Sequence, residues 1–161
     1  MSRVARSARV GSRQRTEAIT ASKTVQSAET GELYFINSNA AAIVITLPAL
    51  QDGAYFKFVI GDELVNLDTK SITIQSAGGA LTGGEMVGSS HSVLGGGTLI
   101  LPTNGSAAKG DNHYQFVVDS DASGNKLFAG SCIECWSDGS YWYVSSVLRT
   151  DASTTEGNFA G

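Results

Sequence analysis

Charge is scarce in this sequence. Asp, Glu, Lys and Arg make up 16% of its 161 residues, where an ordinary globular domain has about a quarter. Two Cys and two His are too few for a disulfide scaffold and leave little for a zinc centre of about four ligands. No apolar run comes near the ~20 residues that span a bilayer, so neither a membrane-spanning helix nor a membrane partner is expected. Proline occurs only twice, whereas glycine occurs at 19 positions, well above the usual ~7%. Few charges with many Gly, Ser and Thr point to short strands joined by tight turns.

Apolar and β-branched runs occur at 33–36, 43–47, 55–60, 72–74, 98–101, 114–118, 126–129, 131–136 and 141–148. Turn-forming residues bound each run, and no window keeps the i, i+3, i+4, i+7 repeat that a helix needs. Asp52-Gly53, Gly83-Gly84, Asn104-Gly105 and Asp138-Gly139 tolerate the positive φ of tight turns. The expected fold is therefore all-β: an antiparallel β-sandwich or jelly roll of about nine or ten short strands without helical crossovers. No repeat appears at solenoid or propeller periods. Alternation assigns Phe56, Phe58 and Ile60 to the core, and likewise Ile133, Cys135, Trp142 and Val144 around the last turn. Residues 78–97 are so rich in glycine that a long loop between sheets is expected there.

The formal net charge of −4 conceals a division. Residues 1–23 carry Arg3, Arg6, Arg9, Arg13, Arg15 and Lys23 against Glu17 alone, a net +5, so the remainder is −9. The sequence thus divides into an extended basic N-terminal arm (1–23), a sandwich domain (24–149) and a polar C-terminal tail (150–161). The arm lacks the apolar stretch of a secretory signal, although its Arg- and Ser-rich, acid-poor composition matches an organelle transit peptide. It has no core of its own and is expected to need an acidic partner. Arginine neutralises phosphate, but no aromatic lies among these residues to stack on bases, so a protein surface is expected rather than nucleic acid. In the tail, Phe159 is the one aromatic, a candidate anchor to a neighbour on an otherwise polar, disordered end.

Several motifs invite chemical readings. Cys132-Ile133-Glu134-Cys135 matches C-x-x-C, but its further ligands could come only from His91 and His113. In a strand, residues three apart face opposite ways, so free structural thiols are expected. Residues 119–125 resemble the opening of a calcium loop, yet Gly130 stands where the bidentate Glu belongs, and a polar hairpin loop explains the same residues. Ser90 precedes His91 without a nucleophile elbow, and Gly95-Gly96-Gly97 lacks the Lys and Ser/Thr of a phosphate-binding loop. Asp62, Glu63 and Asp68 read as solvated loop acids. Neither an enzyme, nor a cofactor, nor a small-molecule substrate is expected. Trp136, Tyr141, Trp142 and Tyr143 crowd the last hairpin, where alternation turns some of them outward.

Two stretches of the chain carry a resemblance. Ile43-Val44-Ile45-Thr46-Leu47-Pro48-Ala49 leads into Gly53-Ala54-Tyr55-Phe56-Lys57-Phe58 and then Ser71-Ile72-Thr73-Ile74, and Ser137-Asp138-Gly139-Ser140-Tyr141-Trp142-Tyr143-Val144 closes the domain. Over roughly residues 30–148 this order resembles β-rich modules of tailed-bacteriophage virions, namely capsid decoration (cement) proteins and head or tail fibres. The short chain and basic arm favour the decoration class. That resemblance implies a virion structural protein on the capsid surface, assembled in the host cytoplasm as a homotrimer, that binds the major capsid protein and stabilises the shell. Ala18 to Val25 could add a strand to a capsid sheet edge while the arginines pair with carboxylates. Two other classes remain open: a carbohydrate-binding receptor module of a fibre, using exposed aromatics such as Trp136 or Tyr141, and a glycan-degrading enzyme using a carboxylate.

Overall fold

The structure, a computed structural model, describes residues 14–37, 41–67, 69–78, 84–94, 99–100, 106–120, 123–151 and 155–161. Among them the first strands are β1 (Thr16–Ile19), β2 (Lys23–Thr24), β3 (Leu33–Ile36), β4 (Ile43–Thr46), β5 (Asp52–Ile60), β6 (Leu64–Val65) and β7 (Ile72–Gln75). There follow β8 (Glu85–Leu94), β9 (Leu99–Ile100), β10 (Ser106–Ala107), β11 (Gln115–Ser120) and β12 (Lys126–Leu127). The last three are β13 (Cys132–Asp138), β14 (Tyr141–Thr150) and β15 (Thr155–Ala160). A single 3-10 turn, Ser27–Glu29, is the only helical element among the described residues, and no helix is long and apolar enough to cross a membrane.

The strands form two sheets, an all-β sandwich as expected. The first sheet runs β1-β3-β5-β13-β14, and β8 lies along the whole of β14 and carries β9 and β10. The short strands β12 and β6 extend it at the end of β14. The second sheet is β15-β11-β7-β4-β2.

The pairing is mixed rather than antiparallel. β1, β3 and β5 are mutually parallel, as are β2, β4 and β7, and β8 is parallel to β14. The cause is the path of the chain. β1 to β5 alternate between the sheets, so neighbours within one sheet are separated by a strand of the other. That intervening strand supplies the return that parallel pairing requires, where an α/β fold would use a helix.

The core lies between the sheets and follows the period-two pattern. Phe56, Phe58 and Ile60 are buried, as are Ile133, Cys135, Trp142 and Val144. Ile43, Ile45, Ile72, Ile74 and Phe116 face them from the second sheet. Tyr34 stacks on Phe58 with ring centres 5.3 Å apart, and Phe56 meets Trp142 at 6.0 Å. Full burial of side chains of this size contributes about 1.5–3 kcal/mol each.

Three boundaries differ from the sequence expectation. Within 78–97, Glu85–Leu94 is a ten-residue strand, because parallel pairing with β14 gives its backbone a complete partner. The sandwich also begins earlier than residue 24: Thr16–Ile19 pairs with β3, and Lys23–Thr24 with β4. The strand expected to augment a capsid edge is therefore engaged within its own sheets. Finally, the C-terminal segment is not a free tail. Thr155–Ala160 pairs with β11 over six residues, and Phe159, 7% exposed, packs on Phe116 at 5.2 Å, so it anchors its own core and not a neighbour.

Candidate functional site

One side of the first sheet faces the core, and the residues of opposite parity face outward. The register aligns those outward residues into rows. The first row crosses six strands through Ala18, Phe35, Val59, Cys132, Val147 and His91. The next passes through Leu33, Lys57, Glu134, Ser145 and Ser89. The third holds Tyr55, Trp136, Tyr143 and Val87, the last already buried within the chain. Outward positions of a solvated sheet are usually polar; here two rows of three are largely apolar or aromatic. Val147 is 45% exposed and Trp136 39%.

The middle row carries the face's central charges. Lys57 Nζ donates to Glu134 Oε1 at 2.6 Å, and that hydrogen bond raises the lysine's pKa against the opposing effect of burial. Burial first, and then the Glu134 charge, raises the pKa of Tyr55 beside them.

The aromatic row is held by the final hairpin. Gly139 adopts φ +84°, and Asp138 Oδ1 accepts from the N–H groups of Ser140 and Tyr141, each at 2.9 Å. Asp138 Oδ2 accepts from the Tyr143 hydroxyl at 2.7 Å. The Tyr143 bond, followed by the two backbone N–H groups, holds the carboxyl below the usual aspartate range. Trp136 and Tyr143 stack with planes 14° apart, and Lys109 Nζ lies 4.3 Å from the Tyr141 ring centre. Aromatic pairs and cation–π contacts of this kind fix ring orientation on an exposed surface.

The predicted arm residues divide. Arg3, Arg6, Arg9 and Arg13 lie outside the described residues. Lys23 is engaged internally: its Nζ lies 2.5 Å from Glu17 Oε2, 3.1 Å from Glu29 Oε1 and over the Tyr34 ring. Burial lowers its pKa, but the bonds to Glu17 and Glu29 outweigh that and raise it. Arg15 reaches Glu32 at 3.5 Å with its side chain 81% exposed. Glu17, Glu29 and Glu32 bring oxygens within 4.8 Å of one another, a cluster that the sequence analysis did not single out. The Lys23 ammonium already neutralises part of it.

The remaining motifs separate in space. Ser90 points into the core and bonds Ser146 Oγ at 2.7 Å, whereas His91 stands on the outward face, so the two do not form a nucleophile–base pair. Cys132 is half-buried on the outward side and Cys135 buried on the inner one; both are free, and burial pushes the Cys135 thiol well up. His113 packs against Phe159. In the loop before β12, Asn125 Nδ2 donates to Ser120 Oγ, while Asp121 lies outside the described residues. Glu63 pairs with Lys126 at 2.9 Å.

The breadth of the outward face escaped the sequence reading, although a signal was present. In 33–36, 55–60, 132–136 and 142–148 both parities carry apolar residues, as expected of strands covered on both sides. No family model matches the chain, and none of the curated proteins compared with it is significantly similar.

Proposed function

We propose that this protein is a virion structural module of the capsid decoration type, which attaches to the major capsid protein and reinforces the shell. The observation that carries this reading is the charge division as the fold redraws it. Residues 14–161 hold seven bases and fifteen acids, a net −8, while residues 1–13 hold four arginines and no acid. Lys23 belongs to the sandwich, so the cations available to an acidic partner are concentrated ahead of β1, the edge strand of the first sheet. Arginine forks pair bidentately with carboxylates and give orientation as well as affinity. The resemblance over residues 30–148 supplies the class of partner. When copies associate, several such contacts acting together turn weak attachment into firm attachment.

Deleting residues 1–13 leaves every described strand in place and is the appropriate cut; deleting residues 1–23 would also remove β1 and the buried Ile19. The shortened protein is expected to keep its melting temperature and to lose co-sedimentation with capsids that lack the native decoration. Binding by the full chain should weaken as salt rises from 0.05 to ~0.5 M, since exposed charge pairs are screened. Undiminished capsid binding by the shortened protein would count against the reading.

A second reading, a glycan-binding receptor module of a fibre, draws on the exposed Trp136 stacked on Tyr143. It predicts glycan binding that Trp136→Ala abolishes, with copies confined to the tail.

A further inference from the structure

We propose that copies of this chain associate with one another through the outward face of the first sheet, burying the rows that contain Val147 and Trp136 between subunits. Resting on the virion-module reading above, this assigns the self-association surface of that module.

Charge restricts where two copies can meet. Residues 14–161 carry −8, so like bodies repel at most approaches. Within the three rows the charged residues are Lys57 and Glu134, which neutralise each other at 2.6 Å. Lys109, Asp138, Glu85 and Arg149 stand towards the margin of the face. A neutral interior with charges at the rim is the usual composition of a protein interface.

Size agrees. The three rows hold six, five and four positions, and at ~4.8 Å between strands and ~6.7 Å between rows they cover roughly 480 Å². Packing two such faces together would bury roughly 1,000 Å² over two copies, about the threshold for a biological interface. Of the three large apolar side chains exposed among the described residues, Trp136 and Val147 stand on this face. Tyr55, Trp136 and Tyr143 are the rigid aromatic anchors that concentrate binding energy at such surfaces. Cys132, directly opposite Val147 in the register, is a reporter placed inside the contact.

The test uses the full-length protein in two measurements. Sedimentation is expected to give a single species at a multiple of the 16.7 kDa chain mass. Val147→Glu places a charge in the panel and should weaken association at least about tenfold, returning the species to the chain mass while near-ultraviolet circular dichroism from buried Trp142 is retained. In parallel, a maleimide should label Cys132 quickly in dilute protein and slowly in concentrated protein, with buried Cys135 unreactive in both. The Val147→Glu protein should label Cys132 equally fast at both concentrations.

An unsubstituted chain that sediments as a monomer, Cys132 labelling that ignores concentration, or an oligomer indifferent to Val147→Glu would overturn the proposal. So would a monomer whose Trp136 emission responds to glycans, which would make the face a sugar platform. Capsid binding is read separately. An oligomer that ignores capsids counts against the decoration function and supports this surface; a monomer that still coats capsids does the reverse.

Discussion

At Gly88 the fold leaves no room for a side chain. A Cβ there would lie 1.8 Å from the Val144 carbonyl oxygen, and the residue sits at φ +152°. Gly88→Ala should therefore destabilise the protein by about 3 kcal/mol or more, from overpacking against backbone together with conformational strain; urea unfolding measures it. Asp138 acts by hydrogen bonding instead. Its folded pKa is depressed, so its stabilisation is complete above the ordinary aspartate value of ~3.9 and is lost as the pH falls through the lowered value. Asp138→Asn should lower the melting temperature at pH 7, and the difference from the unsubstituted protein should close in strong acid. A gap that stays constant with pH would show that the carboxylate's charge contributes nothing to the turn.

Among the elements, β5, β13 and β14 were legible because alternation and a DG turn act within a few residues. Phe56, Phe58, Ile133, Cys135, Trp142 and Val144 are buried as their parity required. β8 was not legible. Its Gly, Ser and His residues have weak strand preference, and it forms because β14 pairs with it over ten residues. The parallel pairs were equally hidden, since the partner of each strand lies beyond a strand of the opposite sheet. β15 was concealed by its polar composition, although Phe159 marked a position that enters the core. Phe159→Ala should cost about 3 kcal/mol by opening a cavity against Phe116, measured by denaturant unfolding; an anchor to another molecule would leave the isolated chain's stability unchanged. The outward face lay beyond a strand-by-strand reading for a different reason. Its rows exist only once β1, β3, β5, β13, β14 and β8 are in register.

The whole molecule combines an acidic sandwich, a basic leader and one broad, nearly uncharged face. Under the proposed function these have separate tasks: the leader grips the capsid, the face joins copies, and the core keeps both in place. The arginines and their charge were legible in the sequence. Where the arm ends was not, because Lys23 finds Glu17 and Glu29 only when β1, β2 and the turn after them are folded. The most direct test of the decoration role is the number of copies in purified virions, from band intensity against the major capsid protein. The proposal predicts an abundance comparable with that of the major capsid protein itself. A few copies per particle, confined to the tail, or none at all, would contradict it.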